Sequence, residues 1–203
     1  MISIIFAAVA IFAVGSAHPM EKRQANGPWS LYAYGNNIDG LPIFYADGQA
    51  QIGNLAMSNA TNKFTVSMTF GDNRNTWVAH PDTTTTSNTT TESTMFTTAG
   101  VASNTNLLGL SDTGLMAFPV IFTTPSGQAS NNTVATNTTS MSAPQTNVWT
   151  LYGKYVMCSQ DNVNFYAQPT GQDGWYILLW SATADAALRN TPVTLRTIGP
   201  ASG

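Results

Sequence analysis

The chain has 203 residues, of which 43% are hydrophobic and only 8% charged, and its formal net charge is −3 at pH 7. So few Lys and Arg argue against nucleic acid as a partner, because its binders need a clustered basic footprint. They also argue against attraction to an anionic membrane surface. The length suits one domain with a core of its own.

The first element is apolar. Ile2 to Val14 is an almost unbroken run of Ile, Phe, Ala and Val. It matches the apolar region of a secretory signal and falls short of the roughly 20 apolar residues needed to span a bilayer. Gly15-Ser16-Ala17 offers signal peptidase the small residues it requires, which predicts a signal peptide over 1–17 with cleavage after Ala17. The following HPMEKR ends in Lys22-Arg23, a dibasic pair of the kind cut by kexin-type proteases. This predicts a short propeptide over 18–23 and a processed chain that starts at Gln24. From Gln24 on, five Lys/Arg stand against nine Asp/Glu. No later segment reads as a membrane span, and TLRTIGPASG lacks the hydrophobic tail of a GPI signal. The expected location is extracellular, either free or held non-covalently in a wall or matrix.

Beyond Gln24 the dominant period is two. Strand candidates begin with Ser30–Tyr34. PIFYADGQAQIG, Pro42 to Gly53, reads as a hairpin, because Asp47-Gly48 supplies the positive φ of a type I′ turn. KFTVSMTF, Lys63 to Phe70, alternates Phe64, Val66, Met68 and Phe70 with Thr65, Ser67 and Thr69, the signature of a half-buried strand. Thr76–His80, Thr94–Thr98, Leu115–Thr123, Val148–Cys158, Val163–Gln168, Trp175–Ala182 and Pro192–Ile198 follow. Within them GWYILLWS is apolar on both faces, with Trp175, Ile177 and Leu179 on one side and Tyr176, Leu178 and Trp180 on the other. No window of helical length has a helical period. Many short strands with frequent turns predict an all-β, single-domain β-sandwich of jelly-roll type over 24–203, with a closed β-barrel as the alternative.

Two Thr/Ser/Asn-rich tracts, near 83–93 and 126–147, read as long surface loops. Four N-x-S/T sequons begin at Asn59, Asn88, Asn131 and Asn137, each in polar sequence where an N-glycan could face water. There is one cysteine, Cys158, so no disulfide can form within the chain. It reads as a buried structural thiol in the apolar run KYVMCS. Trp29-Ser-Leu-Tyr32 recurs as Trp149-Thr-Leu-Tyr152, and Phe44-Tyr-Ala46 as Phe165-Tyr-Ala167. A duplication would explain the echo, and so would similar packing demands on two aromatic strands.

Catalytic side chains are scarce. After Gln24 the histidine is His80 and the glutamate is Glu92. A Ser-His-Asp triad would have to use His80, and no G-x-S-x-G elbow is present. Asp39, Asp47, Asp72, Asp112 and Asp173 all adjoin glycine-containing turns, where their ordinary role is to bond nearby backbone N–H groups. One His and one Cys make no transition-metal site, although the turn Asn36-Asn37-Ile38-Asp39 carries oxygens suited to calcium. No cofactor motif is present, and the chain reads as non-enzymatic. Aromatics are plentiful. Most suit the core of a disulfide-free domain, and Trp77, between Thr76 and Val78 and close to Asn75, is the candidate exposed platform for a sugar ring.

W-[ST]-L-Y, GLPIFYADGQAQIG, GWYILLW and PVTLRTIGP resemble segments of small secreted cell-wall or surface proteins of filamentous ascomycetes. PIFYADGQAQIG is also distantly similar to a stretch of fungal phialide cell-wall proteins, although the paired cysteines of that group are missing here. The resemblance implies an extracellular, wall-associated role and assigns no catalytic residue. The leading expectation is thus a non-enzymatic fungal cell-surface or cell-wall glycoprotein, acting for example at a host interface. The second is a carbohydrate-binding module for wall glucan or plant polysaccharide, and the third an enzyme with an Asp-based site. The expected partner is cell-wall polysaccharide or extracellular matrix. Two sequence-independent observations separate these readings: aromatics clustered on one exposed face favour the second, and two buried carboxyl groups facing each other favour the third.

Overall fold

The computed structural model describes residues 28–82, 106–112, 117–123, 142–183 and 189–201. Among them the fold is all-β. The strands are β1 (Tyr32–Gly35), β2 (Ile38–Ala46), β3 (Gln49–Gly53), β4 (Lys63–Phe70), β5 (Trp77–Pro81), β6 (Asn106–Asp112), β7 (Phe118–Thr123), β8 (Ser142–Gln145), β9 (Trp149–Tyr152), β10 (Tyr155–Cys158), β11 (Asn164–Pro169), β12 (Trp175–Ser181) and β13 (Thr191–Arg196). A single 3-10 turn, Leu55–Met57, is capped by the Asn54 side chain. The expected strand at Thr94–Thr98 lies outside the described residues.

All the strands belong to one antiparallel sheet, and that sheet closes on itself. β1 pairs β2, β2 pairs β3, β3 meets β7, β7 pairs β12, β12 pairs β11, β11 pairs β13, and β13 returns to β1. The result is a closed seven-strand antiparallel barrel with further strands attached. β4, β5 and β6 lead from β2 round to β7, β8 sits on β6, and the β9–β10 hairpin extends from β13. The all-β class is as expected, and of the two expected architectures the alternative, a closed β-barrel, is the one found in place of the jelly-roll sandwich. The physical difference lies at the edges: pairing β13 to β1 satisfies backbone groups that a sandwich would leave at the rim of a sheet.

Alternation builds the core. Phe64, Val66 and Met68 of β4 point inward, while Thr65, Ser67 and Thr69 are half-exposed. Trp77 lies between Trp29, 5.6 Å away edge-on, and Trp149, stacked at 5.5 Å; Trp149 in turn stacks on Phe165 at 5.9 Å. The Trp149 Nε1–H donates to the Leu108 carbonyl at 2.7 Å. β12 divides as its sequence requires: Leu178 and Trp180 join the main core, Trp175 joins Phe44 and Ala46 in a second cluster, and Leu179 joins Tyr166 in a third. In the second cluster Gln51 accepts from Trp175 Nε1–H and from the Ser58 hydroxyl, both at 2.8 Å, so this buried amide oxygen is satisfied.

The Asp47-Gly48 turn forms as expected, with φ of 45° and 87°. Asp47 does more than shape it, because its two carboxylate oxygens accept from the Thr61 and Asn62 N–H groups at 2.8 Å. Three departures are instructive. Val148–Cys158 is not one strand but the hairpin β9–β10, broken at Gly153, whose φ is 62°. β8 falls inside the tract expected to be loop. β6, NLLGLSD, is not among the expected strands; Gly109 stands between the buried Leu108 and Leu110 and is itself buried, an added Cβ there coming within 3.2 Å of Thr146 Cγ2, so the middle of the strand shows no polar alternation. The FYA echo is not a structural repeat. Phe44 and Ala46 face the second cluster, whereas Phe165 and Ala167 face the main core, so the two copies are inverted across the sheet. Similar packing demands, not equivalent positions, account for it.

Candidate functional site

Trp77 is 0% exposed and cannot offer a face to a sugar. The polar Asn75 and Thr76 before it belong to a tight turn, in which Asn73 Oδ1 accepts from Asn75 N–H and from the Thr76 hydroxyl. The indole itself points inward, and its Nε1–H meets the Arg74 carbonyl at 3.3 Å. Polar neighbours in sequence thus marked the turn and not the ring. Of the sequon residues, Asn59 is exposed just after the 3-10 turn. Asn88, Asn131, Asn137, Ala17, Lys22 and Arg23 lie outside the described residues.

The other chemical candidates sit in ordinary structural settings. The Asn36-Asn37 turn joins β1 to β2, with Asn37 in the left-handed region at φ 59°. Among the described residues no three His, Cys, Asp or Glu side chains gather where they could hold a metal ion. His80 Nε2 shares a 2.8 Å hydrogen bond with Thr69 Oγ1 on the neighbouring strand. Cys158 is a half-buried free thiol packed against the main core, and burial pushes its pKa above the ordinary thiol value, against a smaller opposing hydrogen bond from the Gln160 backbone.

The exposed aromatics are elsewhere, and they are collected. On β13, Val193 and Leu195 point into the core, so Thr194 and Arg196 point outward. Register pairs Arg196 with Tyr32 of β1 on one side and with Tyr155 of β10 on the other, and Tyr155 pairs with Tyr152 of β9. Directly paired residues share a face. Tyr32, Arg196, Tyr155 and Tyr152 therefore form one row across four strands. At about 4.8 Å per strand the row spans roughly 14 Å, the reach of a short oligosaccharide rather than of one sugar. Tyr152 is 78% exposed and Tyr155 42%, and Met157 and Ile198 are exposed beside them.

The row is stiffened from beneath and from its flanks. The Arg196 guanidinium lies 4.6 Å from the centre of the Tyr34 ring and 4.8 Å from that of Tyr155, a cation held between two aromatic faces. Tyr34 is anchored by its hydroxyl, which donates to the Ile198 carbonyl at 2.8 Å. Tyr32 rests on Gly199, where an added Cβ would come within 3.0 Å of its ring. The β9–β10 turn is tied to the segment after β13 by the Thr197 N–H donating to the Lys154 carbonyl at 3.0 Å. Next to Tyr34 opens a groove of about 700 Å³, lined by Asn162 and Asn164, by Tyr166, and by Pro192 and Thr194 of β13. Flat rings beside amide and hydroxyl groups can stack on the apolar faces of pyranose rings while bonding their hydroxyls.

A sequence signal for this face existed. In W-[ST]-L-Y the Trp and Leu share one parity and the Tyr the other, so burying Trp29, Leu31, Trp149 and Leu151 turns Tyr32 and Tyr152 outward. No family model, curated protein or solved structure matches the chain.

Proposed function

We propose that this chain is a secreted, non-enzymatic glycoprotein of a fungal cell surface or wall, and that its work is to hold polysaccharide on the face formed by Tyr32, Tyr34, Tyr152, Tyr155 and Arg196. One observation carries the reading: the paired row Tyr32, Arg196, Tyr155 and Tyr152, two of whose rings stand open to solvent on a rigid sheet. An apolar cluster of this kind on a chain so poor in other functional groups calls for a partner. The apolar leader, the small residues at Ala17 and the sequons support the extracellular setting.

The test is retention of the purified, processed protein on glucan, chitin, cellulose and pectate. Retention on at least one polymer is expected, with loss in a Tyr152→Ala/Tyr155→Ala double variant that melts like the unmodified protein. Equal retention of the double variant, or none of either protein on any polymer, refutes the proposal.

A further inference from the structure

The aromatic row contains a cation, and this bears on which polysaccharide it holds. The argument rests on the binding face proposed above. From Gln24 on the chain has only five Lys/Arg, and two of them, Lys154 and Arg196, belong to this face. Lys154 is exposed in the turn between Tyr152 and Tyr155, and Arg196 is the paired neighbour of Tyr155. Arg196 engages in no ion pair among the described residues, and its Nε is buried without a hydrogen-bond partner. Its guanidinium carbon lies 4.6 Å from the Tyr34 ring centre and 4.8 Å from that of Tyr155, so the group is restrained by cation–π contact with two rings. A planar donor pair held in place and left unneutralised is the arrangement that takes a carboxylate in a two-pronged grip.

Among the described residues the acidic groups nearby are Asp39, opposite Tyr34 on β2, and Asp161, next to the groove residue Asn162. On the strand register Asp39 lies on the far side of β1 from Arg196 and Tyr155. The Tyr155 end of the row therefore carries positive charge on a chain that is acidic overall, with a sequence pI near 5.0. We infer that the face selects glycans bearing carboxylates, that is, polymers of uronic acid, with a sugar ring stacked on Tyr152 or Tyr155 and its carboxylate on Arg196 and Lys154.

The probes are polygalacturonate and a neutral soluble β-glucan, compared by titration calorimetry at low and at high NaCl. Polygalacturonate should bind more tightly than the neutral glucan by about tenfold or more, the scale of a charge-assisted contact. The preference should shrink as salt rises, because an exposed charge contact is screened. Lys154→Gln, in an exposed turn, should reduce the preference without altering the melt. Arg196→Gln should abolish it, and if that variant does not fold, Lys154→Gln alone decides. Equal affinity for both polymers, lost together in Tyr152→Ala, overturns the carboxylate selectivity and leaves the binding face standing. Polygalacturonate binding unchanged in both charge variants overturns the selectivity too. No binding of either polymer removes both proposals.

Discussion

The sharpest test of the barrel core is Trp77→Ala. The ring is fully buried, with Trp29 against one side and Trp149 against the other. Truncation of a buried Phe or Trp to Ala costs about 3–5 kcal/mol. Trp77 belongs at the upper end of that range, for two reasons. Its neighbours cannot close over the gap: Trp149 is pinned by its hydrogen bond to Leu108 and by its stack on Phe165. The Arg74 carbonyl also loses its indole donor. Domains hold about 5–15 kcal/mol in total, so a loss of about 4–5 kcal/mol consumes a large share. For a domain of this size each kcal/mol lowers Tm by about 2–4 °C, which gives a drop of roughly 8–20 °C. Differential scanning calorimetry of the purified variant measures it, and Trp77→Phe, which keeps most of the ring, should fall between the two. A Trp77→Ala protein that melts like the unmodified chain and loses polysaccharide retention would refute the reasoning, because it would make Trp77 a surface platform.

The remaining predictions concern other parts of the molecule. Gly53 has φ 121°, and a Cβ there would stand 1.8 Å from the Gly174 carbonyl oxygen; Gly53→Ala should therefore cost well over the ~1–3 kcal/mol of backbone strain alone. Gly171→Ala, at φ 88° with open space around it, should cost the strain only, and urea midpoints should rank the two accordingly. The Cys158 thiol, raised by burial, should alkylate slowly at neutral pH in the native protein and quickly after unfolding. A raised native value means the folded state keeps its proton longer, so this contribution to stability is full below the unfolded thiol pKa and is lost as pH rises through the folded one; as pH rises above the ordinary thiol range, the unfolding midpoint of the intact chain should fall relative to that of Cys158→Ser. Secreted material should begin at Gln24 by mass mapping, and endoglycosidase should release glycan from Asn59; a stable start at His18 would remove the Lys22-Arg23 cleavage.

Much of the fold was legible because strand alternation is a local property. KFTVSMTF, the Asp47-Gly48 turn and the two-faced GWYILLWS each follow from residues adjacent in sequence and the pleat they must adopt. β6 is hard to see in sequence because Leu107, Leu108, Gly109 and Leu110 show no polar alternation, and Val148–Cys158 reads as one strand because Gly153-Lys154 is a weaker turn signal than Asp-Gly. Sequence pattern left the closed barrel as the alternative to a sandwich and could not choose between them: a strand in either buries the same face, and only the pairing of β13 with β1, more than 150 residues away in sequence, distinguishes them. The site divides in the same way. The sequence alone determined that aromatics would be abundant and that Tyr32 and Tyr152 would oppose their buried Trp and Leu neighbours. Which rings are open to solvent, and that Arg196 lies between Tyr32 and Tyr155 in one row, depends on strands far apart in the chain becoming hydrogen-bonded neighbours. Polar flanking residues pointed to Trp77 instead, since they report the turn they form and carry no information on where the following side chain points.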